Sequence, residues 1–183
     1  GGDRALQALR DAATSQHADV RYQGLLGVLA LDAREGFRLA LDALASDDPW
    51  IASEAAEQLG YLLDPQRDPA LDLSLAERER ALDALRRASD DRDPARLRVA
   101  VLADIARVRA GDDGAIATVT SFARGTLTIP GKDSSELRLD AIDALGSVRH
   151  HADARAALER LARSVLPTPA RAHARLALGE GSP

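Results

Sequence analysis

Apolar residues recur at steps of three and four along almost the whole chain. Each run is bounded by Asp, Ser, Pro or Gly. Residues 49–63 show the pattern most fully, with Ile51, Ala55, Leu59 and Leu62 on one helical face. Asp48 supplies an N-cap and Pro49 a first helical position that needs no N–H partner. Ala52, Ala55 and Ala56 are small, so a neighbouring helix can approach closely. Gly60 costs roughly 1 kcal/mol relative to Ala inside a helix, so it marks close packing or a fraying end. The same reasoning predicts helices over 3–14, 19–31, 33–46, 74–89, 94–109, 112–124, 134–148, 152–166 and 169–178. Expected inward residues include Leu6 and Leu9, Phe37 and Leu44, Leu75, Leu82 and Leu85, and Leu158, Leu161 and Val165. Ser74 with Glu77, and Asp133 with Glu136, have capping-box spacing.

The best run has copies. Anchored on Ile51, the equivalents are Val20, Leu97, Leu137 and Ala170. One residue later stand Arg21, Ala52, Arg98, Arg138 and Arg171. Four after the anchor come Gly24, Ala55, Val101, Ala141 and Ala174, and eight after it Val28, Leu59, Ile105, Leu145 and Leu178. Periods in this range mean stacked helix pairs. The expected architecture is all-α: a single domain, 1–183, of about four to five antiparallel pairs. Its repeats fall near 17–46, 47–90, 93–125 and 133–166, with a partial one at 167–179 and a partial repeat or cap at 3–14. Inserts at 64–73 and 125–132 break the pattern on opposite edges of such a stack, and each is a candidate contact.

These residues resemble HEAT repeats, in particular the short bacterial type named after phycobilisome lyases. That repeat opens on Asp-Pro, then a β-branched residue and Arg, then an Ala-rich helix ending Leu-Gly. DDPWIASEAAEQLGYL at 47–62 and DSSELRLDAIDALGSV at 133–148 match it best. The copy at 17–29 keeps Val20-Arg21, and that at 93–106 keeps Asp-Pro and Leu97-Arg98. The resemblance implies a right-handed α-solenoid whose concave face is lined by second helices. It implies a non-catalytic protein-binding scaffold. Relatives that act on bilins or excise alkylated bases from DNA keep two alternatives open: a bilin lyase accessory subunit and a nucleic-acid-binding, DNA glycosylase-like protein. Fold alone does not choose among them.

Composition narrows the choice. Only five residues are aromatic, so the core must be built from Leu, Ala, Val and Ile. There is no Cys, which removes disulfides and thiol chemistry and fits the cytoplasm. There is no Met, and the chain opens Gly1-Gly2, which reads as a fragment whose true start lies outside it. Lys132 is the only Lys among 24 basic residues, a bias that reads as genomic composition. Net charge is −5, against the basic footprint that phosphate binding wants. Residues 1–91 carry 18 acidic and 10 basic residues; residues 92–183 carry 11 and 14. The C-terminal half therefore suits an acidic protein partner.

No catalytic constellation, metal site or cofactor motif is visible. Asp47-Asp48, Asp90-Asp91 and Asp112-Asp113 read as helix caps. His150 and His151 diverge on a helix and make a poor metal pair, and His17 and His173 read as capping or surface residues. The arginine column is expected to bond an Asp at the start of a neighbouring repeat. The candidate partner-binding residues are Arg38, Arg86, Arg87, Arg124, Arg160 and Arg163, with Trp50 as a candidate interface aromatic.

Overall fold

The computed structural model describes residues 2–66, 71–127, 129, 134–164 and 168–180. Among them the fold is all-α, with ten α-helices. These are α1 (Gly2–Ala13), α2 (Ala18–Leu31), α3 (Ala33–Leu44), α4 (Pro49–Leu63) and α5 (Leu75–Ser89). They continue as α6 (Leu97–Arg109), α7 (Ile116–Ala123), α8 (Ser134–Ser147), α9 (Ala152–Ala162) and α10 (Pro169–Leu178). Single 3₁₀ turns, Pro94–Arg96 and Asp113–Ala115, lead into α6 and α7.

The starts follow from capping chemistry. The Asp32, Asp48 and Thr168 side chains accept the first free N–H groups of α3, α4 and α10. Ser74 and Glu77 form the reciprocal capping box expected for α5. Asp133, expected to do the same for α8, lies outside the described residues, as does Val165. The other two acidic pairs divide. Asp112 caps the turn before α7, but Asp90 follows the end of α5, and Asp91 pairs with Arg96 at 2.9 Å.

Packing repeats along the chain. The odd-one-out is α1, which lies on α2; thereafter α2, α4, α6, α8 and α10 touch in succession as one layer. In the second layer α3 touches α5 and α7 touches α9, and each second-layer helix also packs on the first-layer helix that follows it. The sequence register survives in the burial pattern. Gly24, Ala55, Val101, Ala141 and Ala174 are all buried, as are Val28, Leu59, Ile105 and Leu145. Gly60 marks close packing: a Cβ there would stand 3.0 Å from the Cα of Ala106. Gly146 meets Ala177 in the same manner.

Two expected inward residues point outward. Leu75 is 73% exposed, because α5 buries Ala81, Leu85 and Ser89, three residues at four-residue spacing that leave out its first turn. Val20 is 43% exposed, because α1 ends opposite Gly24 and leaves the first turn of α2 uncovered.

The arginine column also differs from expectation. Arg21 makes the expected bond to an Asp at a following helix start, Asp48 at the N-cap of α4, at 2.9 Å. It also donates to the carbonyls of Ser15 and Gln16, just past α1. Arg138 donates to the last carbonyl of α7, at Ala123, and Arg96 to Ser46 just past α3. Arg78 reaches the end of α4 at Leu63, and Arg149 reaches Ala177 near the end of α10. Gln66 reaches the last carbonyl of α8, at Ser147. Carbonyls at a helix C-terminus carry partial negative charge and lack intrahelical partners, so a guanidinium is well placed there.

α1 packs closely on α2 yet lies at the margin of the fold. A Cβ on Gly24 would fall 2.3 Å from the backbone N of Ala13 and 2.7 Å from the carbonyl carbon of Ala12. None of the residues of α1 is buried. Gly24→Leu is therefore expected to undock α1 and spare the rest, at under about 1 kcal/mol of global stability. Amide exchange should become fast over residues 2–13 only. Trp50, which meets Tyr22 edge-on at 5.3 Å between ring centroids, should keep its emission. A general loss of helicity would show that α1 is integral to the core.

Candidate docking groove

The spacing of charges on α5 sorts its arginines into two groups. Arg80, Ala84 and Arg87 are four and three residues apart, so they share one face. Arg86 is turned about 100° from Arg87 and looks the other way. Arg86 bonds Asp83 at 2.9 Å and Asp112 at 3.1 Å. Asp112 also accepts from Arg107, which donates to Asp104 at 2.7 Å and to the Ser89 hydroxyl at 2.9 Å. Burial pushes the Asp104 carboxyl up to about 6, more than Arg107 pulls it down. Burial also raises Asp112, but Arg107, the Gly114 N–H and Arg86 outweigh it and hold that carboxyl below the usual range. Arg86 is thus committed to a structural hub that ties α5 to α6 and to the turn before α7.

The other face of α5 opposes α3. Two adjoining grooves of about 360 and 250 Å³ run between the helices and share Leu41, Ala84 and Arg87. Phe37 and Leu41 form the floor beside Ala84, and Arg38 and Arg80 stand on the walls. Arg38, Arg80 and Arg87 are exposed and make no hydrogen bond or ion pair among the described residues. The acids nearby are mostly taken. Glu77 bonds Ser74 and Arg34, which draw its carboxyl down to about 2. Asp91 belongs to Arg96. Of the acids that line this groove among the described residues, Asp42 alone remains against three guanidinium groups.

The expected candidates are therefore split by the structure. Arg38 and Arg87 come together; Arg86 leaves for the hub. Arg124 is exposed just past the end of α7. Arg160 folds onto the carbonyl of Ala156, and Arg163 onto Glu159 at 3.3 Å, both on α9. Trp50 is 37% exposed and rests on Tyr22, so it bridges α4 and α2 while keeping an open edge. Arg80 was missing from the expected set, although its seven-residue separation from Arg87 was legible.

The first layer carries a second charged network. Arg109 is nearly buried, with its guanidinium 4.5 Å from the Tyr61 ring centroid and 3.9 Å from Asp140. Burial raises Glu57 and Asp140 there, against the pull of Arg109 and Arg98. A wider groove of about 670 Å³ lies at the C-terminal end, between Leu139, Leu161 and Pro169. Residues 130–133 and 165–167, sequence neighbours of its lining, lie outside the described residues.

The histidines do not converge. His151 Nδ1 accepts the Asp153 N–H and caps α9. His173 lies within α10, 3.3 Å from Asp143, rather than at its cap, and His17 holds the cap position of α2 with no side-chain cap bond. Among the described residues no group of three or more His, Asp or Glu could hold a metal ion. None of the helices is long and apolar enough to cross a membrane. No protein-family model matches the chain, and no curated protein matches it either.

Proposed function

We propose that the chain is a right-handed, HEAT-like solenoid of about four to five helix pairs that serves as a non-catalytic, protein-binding scaffold. Its binding face is the one lined by the second helices α3, α5, α7 and α9, and its partner is another protein. The observation that carries this reading is the combination of layers. Five first helices bury equivalent positions down one layer, while the second layer leaves an apolar-floored groove with unpaired arginines. A face of that kind offers area and charge but no reacting group.

Photo-crosslinking in the native cells tests this. A benzoylphenylalanine replaces exposed Glu79 or Arg160 on the second helices, or exposed Asp19 or Asp143 on the first. Nuclease-resistant adducts to one protein are expected from positions 79 and 160, and not from 19 and 143. Adducts confined to 19 and 143 would reverse the face, and adducts lost with nuclease would move the protein to the nucleic-acid class.

A further inference from the structure

The groove between α3 and α5 is narrower in its chemistry than a general protein-binding face. We infer that it takes an extended, acidic segment of a partner protein, with an aliphatic side chain set between two carboxylates. This rests on the scaffold reading and specifies its ligand.

The charge balance makes the first argument. Every other arginine on these two helices is spoken for: Arg34 by Glu77, Arg86 by Asp83 and Asp112, and Arg78 by the Leu63 carbonyl. Arg38, Arg80 and Arg87 remain, three exposed guanidinium groups around one free acid, Asp42. Guanidinium forks match carboxylates with two parallel hydrogen bonds, so the surplus is of the kind a carboxylate ligand satisfies.

Spacing makes the second. Arg80 and Arg87 are two helical turns apart, about 10 Å along the axis of α5. An extended chain in the polyproline-II form advances about 3.1 Å per residue with three residues per turn, so carboxylates three positions apart lie on one face and reach both arginines. Of the two residues between them, one then lies over Ala84 and Leu41, the apolar floor. Arg38, on α3, faces the segment from the opposite wall.

The third argument excludes a nucleic-acid strand. Among the described residues that line this groove Phe37 is the one aromatic, and at 1% exposed it offers no stacking platform. The surrounding N-terminal half also carries 18 acidic residues against 10 basic, which repels a continuous polyanion far more than a segment with two or three charges.

The test is a selection of displayed random twelve-residue peptides on the whole chain. The triple variant Arg38→Glu, Arg80→Glu, Arg87→Glu serves as counter-selection. These side chains make no internal bonds, so the variant should keep its helicity by circular dichroism. Recovered peptides are expected to carry two acidic residues about three positions apart, with an aliphatic residue at one of the two positions between them. Their affinity should fall about tenfold or more on the triple variant, and should weaken as salt rises. Peptides without acidic enrichment, or acidic peptides that bind the variant equally well, would overturn the inference. So would displacement of the peptides by a single-stranded oligothymidylate that binds more tightly. Peptides that crosslink to α7 or α9 instead would remove the groove assignment and leave the scaffold reading standing. An empty selection also removes the groove assignment, and crosslinking in cells then judges the scaffold by itself.

Discussion

Arg107→Ala is expected to cost about 3–5 kcal/mol at neutral pH, in the range for breaking a buried ion pair. Arg107 is the shared donor to Asp104, Asp112 and Ser89, and its side chain is 13% exposed. Asp112 keeps Arg86 after the change, but Asp104 is left buried with its charge uncompensated. The loss should therefore depend on pH. The folded-state value of Asp104 is already raised to about 6, above that of the unfolded chain. An acid raised by folding is destabilising when charged, so its contribution improves as pH falls through the folded value toward the unfolded one. Without Arg107 the carboxyl shifts further up. Urea melts should show a large deficit near pH 8 and a smaller one near pH 5. Adding Asp104→Asn to the variant should recover part of the loss and flatten that dependence. A deficit that does not change with pH would mean that Arg107 acts through its packed methylenes rather than its charge.

Phe37→Ala is expected to cost about 3–5 kcal/mol, because it empties a ring-sized volume from a side chain only 1% exposed. Phe37 lies in α3 and belongs to the core that α3 shares with α4 and α5. In the solenoid proposed above, stacked repeats are stabilised by nearest neighbours, so the loss should be local to the N-terminal helices. Trp50, the single Trp, sits at the start of α4 and reports that region. In the variant its emission should change at lower urea than the helical signal, whereas the two should lie closer in the parent. Transitions that shift together by the same amount would show one cooperative unit.

The sequence carried the stack plainly and the surface chemistry poorly. Repetition made the first possible. The column at Gly24, Ala55, Val101, Ala141 and Ala174 is buried in every first helix, and it recurs because each of those helices turns the same face inward. Helix ends followed from Asp48, Ser74 and Thr168, whose capping role is local and visible in a few residues. The groove needed α3 and α5 to be side by side, and it needed the partner of every arginine. Arg86 and Arg87 are neighbours in sequence and equal in type, yet one is bonded to Asp112, 26 residues away, and the other is free. Nothing local distinguishes them except the 100° between their directions. The Asp104–Arg107 hub was hidden for a similar reason. Its two members lie three apart on a helix, which ordinarily reads as a solvated surface pair. Only the position of α5 over α6 buries them.

The bias to arginine has a consequence of its own. Arg21 holds two backbone carbonyls and a carboxylate at once, and Arg96 holds a carbonyl and a carboxylate. A guanidinium can do this because its five donors spread in one plane; an ammonium is a single compact charge that cannot serve such separated acceptors equally. Exchanging these arginines for lysine would leave the net charge at −5 and every isoelectric property nearly unchanged. It would still loosen the stitches between one helix's end and the next repeat's beginning. The near-absence of lysine, which looks like genomic drift when the residues are merely counted, is in part a matter of masonry.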